Sequence, residues 1–358
     1  MKKLVKIIGI LLIAAILIVG GYVAYLFASY SRIEDNLALE ISGELKQTLS
    51  IGEPHTAVTW NLGFGAYSDD YSFFMDGGTE SWALSKDAVY ANIGGAMETL
   101  QSLNADLMLL QEVDLDATRS YHVDETMLVR ESFPEYASVF AQNYDSAFLF
   151  YPLTQPHGAS KAGQMTLINS AIEAALRRSL PVETGVMKFF DLDRCYSVSQ
   201  IPTENGRMLC LYNLHLSAYT SDGTIATEQL EMLLADMESE YAAGNYVIAG
   251  GDFNKDLPGN SPEIFGVSGD DYTWAQPLPK EMIPQGFALV DSVDPDHPVP
   301  SCRNADQPYT PGQTFVLTVD GFIVSDNVQV HSASVIDAGF AYSDHNPVIM
   351  EFSLAEQP

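Results

Sequence analysis

Short apolar runs that end in polar or acidic residues recur along this chain of 358 residues, and they constrain its fold more than any other feature. Buried strands read as apolar runs, and α/β folds build their sites where strands end. One such polar group is usually a cap or a turn, but six in one chain are hard to explain as caps alone. The six groups contain Asn61, Glu112, His215, Asp252, Asp320 and the neighbours Asp344 and His345.

Helical periodicity separates several of these runs. Apolar residues recur at intervals of three and four over 89–100 and again over 230–241, and this period predicts amphipathic helices. Strand and helix signals alternate over 56–354 without a further linker or an internal repeat. Since several neighbouring strands look like hairpins, we expect one layered α/β domain over 56–354 rather than a purely parallel sheet.

The amino-terminal end predicts a membrane anchor. Three lysines within 1–6 precede an uncharged run of 22 residues over 7–28. At about 1.5 Å per residue, a helix of this length spans a bilayer core of about 30 Å. The lysines predict a cytoplasmic tip (1–6), a transmembrane signal-anchor helix (7–28), and a polar stalk (29–55) and catalytic domain on the extracytoplasmic side of a single-pass protein. The alternative is a cleaved signal peptide, which also exports the domain.

The net charge bears on which partners the protein can bind. Lys and Arg number 17 while Asp and Glu number 47, so the formal net charge is −30. Without the three lysines of the tip, 14 − 47 leaves −33 on the rest of the chain. This balance disfavours nucleic-acid binding through a basic stripe without excluding it, and it disfavours docking on an anionic lipid surface.

The cysteines predict no disulfide framework. Cys195, Cys210 and Cys302 are odd in number, and no CxxC or Cys/His zinc spacing accompanies them. The turn signal at Asn205-Gly206 predicts a two-residue hairpin loop, which places Cys210 opposite Ile201. We expect three free, buried thiols.

The polar strand ends suit the hydrolysis of a phosphate ester. His345 is a candidate general base, and Asp320 is its candidate carboxylate partner. His215 can donate a hydrogen bond to a phosphoryl oxygen. Mg²⁺ or Mn²⁺ takes hard oxygen ligands and activates water for in-line attack. The candidate oxygen ligands are Asn61, Glu112, Asp252 and Asn254.

These segments, in this order, resemble the endonuclease/exonuclease/phosphatase superfamily over nearly the whole predicted domain. The resemblance implies a four-layer α/β sandwich, in which two packed mixed sheets lie between helices, and a divalent-metal-dependent phosphoric ester hydrolase. The matching segments are TWNL around Asn61, QEVD around Glu112, NLHL around His215, GGDFN around Asp252, VDGFIV around Asp320 and SDHNPV around His345.

The resemblance also implies residue roles. Asp252 and Asn254 position the phosphate and the water or leaving group, His215 binds the phosphate, and Asp320 orients His345. Either Asp252 or His345 is the general base. The metal-site residues that the resemblance implies are Asn61, Glu112 and Asp344.

A mid-chain segment, Gly163-Gln164-Met165-Thr166-Leu167, resembles a strand that is frequent in this superfamily. Propensity favours a helix over 165–178. On the resemblance we expect strands at Met165–Leu167 and Glu173–Arg178 instead.

Three arginines are candidates for substrate binding, because a guanidinium group binds phosphate through two hydrogen bonds. They are Arg119, Arg194 and Arg303. For Arg119, which follows QEVD closely, the alternative is a salt bridge with an acidic residue.

Loop residues beside the motifs have two interpretations each. The aromatic loop Tyr67–Phe74 either walls the site or packs internally. His122 and His157 line the cleft or, as the loop positions favour, take ordinary surface roles. Tyr219 is a possible substrate contact.

We expect a membrane-anchored hydrolase of phosphate esters, a phosphodiesterase or a phosphatase, whose substrate is a phospholipid head group or a small phosphoester. A surface nuclease is the alternative within this class. A catalytically inactive binding module on the same fold is the alternative from another class.

Overall fold

Two seven-stranded mixed sheets form the centre of the structure, a computed structural model that describes residues 2–185, 188, 192–218, 224–269, 272, 274 and 276–356. The helices are α1 (Lys2–Ser29), α2 (Lys86–Leu103), α3 (Glu125–Ser132), α4 (Thr224–Ala242) and α5 (Ser261–Phe265). The strands are β1 (Leu37–Ala38), β2 (Ile41–Ser42), β3 (His55–Asn61), β4 (Leu107–Ala117), β5 (Ala137–Asp145), β6 (Ser160–Ile168), β7 (Ala174–Ser179), β8 (Cys195–Pro202), β9 (Met208–His215), β10 (Tyr246–Asp252), β11 (Phe287–Leu289), β12 (Cys302–Arg303), β13 (Val316–Leu317), β14 (Asp320–Ser325), β15 (Val328–Val335) and β16 (Val348–Leu354).

The two sheets pack face to face. The first sheet has the strand order β15-β16-β3-β4-β6-β5-β2, and the second has the order β1-β7-β8-β9-β10-β14-β11. Strands β3 and β4 are parallel, as are β9 and β10, and the other neighbours within the two sheets are antiparallel. Helices α2 and α3 contact the first sheet, and α4 contacts the second. The four-layer α/β sandwich is therefore confirmed.

The continuous apolar run of β4 explains how this strand joins two cores. Side chains alternate between the faces of a strand. Leu107 and Leu109 point into the core between the sheets, whereas Met108 and Leu110 pack in the core that contains the apolar face of α2. Because both faces of the strand are buried, its first four residues are all apolar, and polar residues begin only at Gln111.

Helix α1 is the one helix among the described residues that is long and apolar enough to cross a bilayer. Its most apolar 18-residue window has a mean hydropathy of 2.8, and Leu26 is its one buried residue. Length and composition alone support this assignment, and a signal sequence satisfies the same criteria.

The segment 29–55 differs from the expected stalk, because it pairs with the domain. Strand β1 pairs with β7 at the edge of the second sheet, and β2 pairs with β5 at the edge of the first. Arg32 also forms an ion pair with Asp193, with 2.7 Å between Nε and Oδ1. The polar composition that suggested a free stalk is equally that of short edge strands, which need only backbone groups to pair.

The two strands expected at Met165–Leu167 and Glu173–Arg178 are present as β6 and β7. Strand β6 lies between β4 and β5, so pairing on both edges outweighs helical propensity. Gln164 is buried on this strand, and its Nε2 donates a hydrogen bond of 3.1 Å to the carbonyl of Cys195 in the other sheet. The polar residue thus bridges the two sheets.

One local expectation was wrong. The hairpin between β8 and β9 has a three-residue loop, in which Thr203 pairs with Arg207 and Gly206 has φ +78°, so Cys210 lies opposite Gln200. The segment 316–325 contains two strands that belong to different sheets, because β13 pairs with β12 while β14 pairs with β10. The three cysteines are free and buried, as expected.

Candidate active site

Polar side chains from both sheets meet in one cleft at a common end of the sandwich. Three of them form a row across the second sheet, because the register places Asp252 of β10 opposite both His215 of β9 and Asp320 of β14. Strands β3 and β4 of the first sheet supply Asn61 and Glu112. The cleft also reaches Asp344 and His345, which lie just before β16.

The backbone is adapted where these residues leave their strands. Glu112 has φ +52° and lies in a register shift of β4 against β6, between Leu110 and Val113. Asn254 has φ +50°. Gly251 has φ +149°, and a Cβ atom there would lie 2.0 Å from the carbonyl oxygen of Leu214, so the position before Asp252 requires glycine. Left-handed backbone at non-glycine residues is uncommon and concentrates at functional sites.

Asn61 joins the two carboxylates at the centre of the cleft. Its Nδ2 donates to Glu112 Oε1 at 3.3 Å and to Asp252 Oδ2 at 3.1 Å. Its Oδ1 accepts a hydrogen bond of 3.0 Å from the Gly63 backbone N–H. The amide oxygen is therefore engaged, and the expected metal-site residue Asn61 holds the carboxylates in place through its NH₂ group.

His345 and Asp320 form the expected pair. His345 Nδ1 donates to Asp320 Oδ2 across 2.7 Å, and the Ser301 hydroxyl donates to the same oxygen, also across 2.7 Å. The Trp60 indole donates to the His345 carbonyl at 2.8 Å. With Nδ1 on Asp320, Nε2 of His345 is directed toward the site and lies 3.9 Å from Asp252 Oδ2.

Burial and nearby charges give Asp252 and His345 different ionisation states. Burial, reinforced by the charge of Asp320, raises the pKa of Asp252 to about 7. Burial alone would lower the pKa of His345, but the charge of Asp320, the neighbouring Cys302 thiol and hydrogen bonds to both raise it well above the ordinary value. At neutral pH the imidazole is therefore the protonated partner.

His215 has a different electrostatic environment. Its Nε2 lies 3.5 Å from Asp252 Oδ2 and 3.9 Å from Glu112 Oε1. Burial, together with the nearby charge of Arg194, lowers the pKa of His215 well below the ordinary value. A neutral imidazole in this place can donate one hydrogen bond to a bound phosphoryl oxygen without carrying a charge.

Asn254 is fixed behind Asp252. Its backbone N–H donates to Asp252 Oδ1 at 2.8 Å, and its Nδ2 donates to the Leu216 carbonyl at 2.8 Å. The side chain borders the cleft. Asp252 is thus held through one oxygen by a backbone donor and through the other by the amide of Asn61.

The donor set of the cleft fits a divalent cation. Glu112, Asp252 and Asp344 place carboxylates around one space, and burial raises the pKa of Asp344 to about 7, with the charge of Glu112 acting in the same direction. Oxygen donors of this kind are the ligands of Mg²⁺ and Mn²⁺. Donor atoms of Asp252, Asp320 and His345 also lie within 4.8 Å of one another. Because Asp320 Oδ2 is already engaged with His345 and Ser301, the oxygen donors that are open to a cation lie on the Glu112 side.

The three candidate arginines border the cleft, and each has protein partners. Arg119 forms a buried, two-bonded ion pair with Asp114, at 3.2 and 2.8 Å, and stacks 3.9 Å above the Phe64 ring. Arg303 donates to main-chain carbonyls, including that of Ser68 at 2.7 Å, and so holds the aromatic loop in position. Arg194 donates to the His215 carbonyl at 3.4 Å, while its Nε is buried without a hydrogen-bond partner among the described residues.

The loop residues show both roles that the sequence left open. Tyr67, Tyr71 and Phe73 are buried and pack edge to face, and Tyr67 and Phe73 also line the cleft. His157, expected to have a surface role, is buried beside Phe73 and lines the cleft, whereas the side chain of His122 is exposed and contacts Asp116. Tyr219 lies outside the described residues.

Sequence reasoning missed the roles of Ser301 and Trp60, and it favoured a surface role for His157. Ser301 and Trp60 secure the Asp320–His345 pair from distant parts of the chain, and no motif surrounds Ser301. His157 follows an uncharged apolar stretch, which was the one signal that marked its surroundings as unusual.

Solved structures share this fold. The chain resembles an endonuclease/exonuclease/phosphatase from Beutenbergia cavernae DSM 12333, with 17% identity, a TM-score of 0.59, and coverage of 85% of this chain and 72% of that one. It also resembles ANGEL2, a 2',3'-cyclic phosphatase, in complex with adenosine-2',3'-vanadate, with 16% identity, a TM-score of 0.57, and coverage of 89% and 99%. The human Nocturnin catalytic domain with bound sulfate is similar as well, with 17% identity, a TM-score of 0.52, and coverage of 88% of this chain and 97% of that one.

A search of curated proteins finds no match. The profile of the Endonuclease/Exonuclease/phosphatase family matches residues 58–345, which is most of the chain and contains all the residues of the cleft described above. The chain therefore belongs to the endonuclease/exonuclease/phosphatase family.

Proposed function

We propose that the protein is a membrane-anchored, divalent-metal-dependent hydrolase of phosphate esters. The observation that carries the proposal is the row of His215, Asp252 and Asp320 across the second sheet, with His345 hydrogen-bonded to Asp320 and Glu112 facing the row. This arrangement combines hard oxygen ligands, a carboxylate of raised pKa and two imidazoles in different ionisation states.

The ionisation states suggest a division of roles. Asp252, whose pKa is raised, accepts the proton of the attacking water, since a general base works best when its pKa lies near the working pH. Protonated His345 stabilises negative charge on the phosphoryl group, and Asp320 keeps it protonated and oriented. His215 donates a hydrogen bond to a phosphoryl oxygen. This assignment makes Asp252 the base, one of the two alternatives that the sequence left open.

A bound divalent cation would supply Lewis-acid stabilisation of the phosphoryl oxygens. Glu112 and Asp344 are the residues that would hold it, with Asn61 fixing Glu112 through a hydrogen bond. Arg194 borders the cleft, and its hydrogen bond to the His215 carbonyl is long at 3.4 Å, so it is the candidate contact for the rest of the substrate. Arg119 and Arg303 act by positioning, because their hydrogen bonds go to Asp114 and to loop carbonyls.

The substitution Glu112→Gln tests the metal site. It removes one carboxylate charge and keeps the side-chain volume. We expect turnover of bis(4-nitrophenyl) phosphate in Mg²⁺ or Mn²⁺ to fall at least about a hundredfold, because a metal clamp contributes several kcal/mol to the transition state. The thermal unfolding midpoint should stay unchanged.

The matched control is Glu98→Gln on the exposed surface of α2, which should keep full turnover. Full turnover by Glu112→Gln, or by the parent chain in EDTA, would remove Glu112 from the metal site. If the parent chain binds metal but hydrolyses no phosphate ester, it is a binding module on this fold.

A further inference from the structure

An exposed apolar loop lies between the amino-terminal helix and the cleft. Residues 148–153, here the 148–153 loop, expose Phe150 by 51%, Tyr151 by 68% and Leu153 by 85%. No Asp, Glu, Lys or Arg occurs between Asp145 and Lys161, although 18% of the chain is charged. Large apolar side chains clustered at this exposure mark an interaction surface.

The loop packs directly on helix α1. The Tyr22 hydroxyl donates to the Phe148 carbonyl at 3.2 Å, and the Tyr22 and Phe150 rings meet edge to face with centroids 5.1 Å apart. The Phe148 N–H donates to the Tyr25 hydroxyl at 3.0 Å. Leu26, the one buried residue of α1, packs with Leu149. The position of the loop is therefore fixed relative to the helix.

These contacts set the height of the loop against a bilayer. Tyr22 lies seven residues before the end of α1 at Ser29, which is about 10 Å along a helix that rises about 1.5 Å per residue. If α1 spans the membrane, the part that touches the loop lies in the outermost part of the span, next to the outer interface. Tyr22, Tyr25 and Tyr30 at this end of the helix match the aromatic belt that marks such an interface.

An aromatic path continues from the loop to the cleft. Tyr151 contacts Phe74 with centroids 5.8 Å apart, and Phe74 contacts Phe73 at 4.9 Å. Phe73 in turn contacts Tyr67 at 5.5 Å, and both line the cleft. Met75, beside Phe74, is exposed and also lines the cleft. The rim of the site is thus continuous with the surface that contacts α1.

We propose that the 148–153 loop inserts into the head-group region of the leaflet around the carboxyl end of α1, and that the cleft hydrolyses a phosphoester carried by a lipid of that leaflet. The proposal rests on the membrane-anchored hydrolase proposed above. Without a basic residue in the loop, insertion is apolar rather than electrostatic. The charge of −33 beyond the tip repels anionic lipid, so the lipid is zwitterionic or neutral.

Quenching by brominated lipid tests the insertion on the full chain in phosphatidylcholine nanodiscs. The variant Phe150→Trp should be quenched strongly by brominated acyl chains. The control Tyr90→Trp, an exposed position on α2, should not be quenched beyond the parent chain, whose own tryptophans contribute equally to both variants. Equal quenching of the two variants overturns the proposal.

Turnover tests the lipid substrate. The double variant Phe150→Glu/Leu153→Glu should lower hydrolysis of sphingomyelin in phosphatidylcholine vesicles about tenfold, since two large apolar side chains no longer enter the bilayer. Its turnover of soluble bis(4-nitrophenyl) phosphate should be unchanged. The control Tyr90→Glu/Met127→Glu alters two exposed apolar positions on α2 and α3 and should change neither.

The other outcomes separate the two proposals. If the parent chain hydrolyses no soluble ester, the proposed function fails, and the quenching result still decides whether the loop inserts. If the double variant loses the same turnover on the lipid and on the soluble ester, or loses none on the lipid, the proposal of a lipid substrate is wrong. Cleavage of duplex DNA about a hundredfold more efficient than that of any lipid overturns it in favour of a nuclease. If Phe150→Trp is not quenched by lipid, and the parent chain is a dimer that the double variant converts to a monomer, the loop is a contact between two copies of the chain.

Discussion

Replacing Asp320 by Asn tests whether His345 works as a charged partner of that carboxylate. The hydrogen bond is 2.7 Å long, and both groups are buried. A hydrogen bond to a charged group contributes about 1.5–3 kcal/mol. If that stabilisation is felt fully in the transition state, Asp320→Asn lowers kcat about 10- to 150-fold, at about 1.4 kcal/mol per factor of ten. His345→Ala should lower it by about 10² to 10⁴, as for a lost acid–base group.

The substitution also predicts a shift in the pH profile. The charge of Asp320 is the largest influence that raises the pKa of His345, so its removal lowers that pKa. Because the proposed mechanism needs protonated His345, activity in Asp320→Asn should be lost at a lower pH than in the parent chain. The alkaline limb of the kcat profile therefore moves to lower pH, a change that a purely structural defect would not produce.

A double-mutant cycle completes the test. If the pair acts as one unit, Asp320→Asn/His345→Ala should be little slower than His345→Ala alone, because losses within one unit are not additive. Asp106→Asn is the control, since Asp106 also faces a histidine, with 3.9 Å between His55 Nδ1 and Asp106 Oδ2, but lies outside the cleft. Additive losses, or an alkaline limb that stays in place, would refute the coupling.

Two further predictions concern topology and acid stability. Protease added to intact cells should digest the domain, and digestion only after lysis would contradict export by the amino-terminal lysines. Burial, helped by the charge of Arg119, lowers the pKa of His157 from 6.5 to about 3. The stability that neutral His157 contributes is therefore present above about pH 6.5 and is lost as the pH falls toward 3, by up to about 3 kcal/mol at pH 4. In urea unfolding, His157→Gln should lose less stability than the parent chain between pH 7 and pH 4, and equal losses would show that His157 is not buried in its neutral form.

The residues of the cleft could be predicted from the sequence because they lie in motifs at strand ends. Adjacent strands bring their ends together, so residues far apart in sequence, such as His215 and Asp320, become neighbours of Asp252 through sheet register alone. The supporting contacts follow a different rule. Trp60 reaches the carbonyl of His345 across 285 positions, and that bond depends on backbone placement rather than on residue type. No local pattern encodes it.

Charge alone did not predict the orientation of the arginines. Arg119 and Arg303 were candidates for substrate binding, because a guanidinium group can bind phosphate, and a salt bridge was the alternative for Arg119. In the structure each is buried at the cleft wall, and a buried guanidinium requires several hydrogen-bond acceptors. Asp114 and the carbonyl of Ser68 provide them. The number of acceptors around a side chain is a property of the packed structure, and composition does not reveal it.

The contacts between α1 and the domain bear on how the proposed membrane anchor would act. A free stalk over 29–55 would let the catalytic domain sample a shell of roughly 30 Å above the bilayer, as expected for a loose coil. Strands β1 and β2 instead attach this segment to both sheets, and Arg32 ties it to Asp193. With α1 also packed on the 148–153 loop, the helix and the cleft have a fixed relative orientation. If α1 anchors the protein as proposed, it would raise the local concentration of lipid and would also determine which face of the domain meets the bilayer, namely the face beside the rim of the cleft.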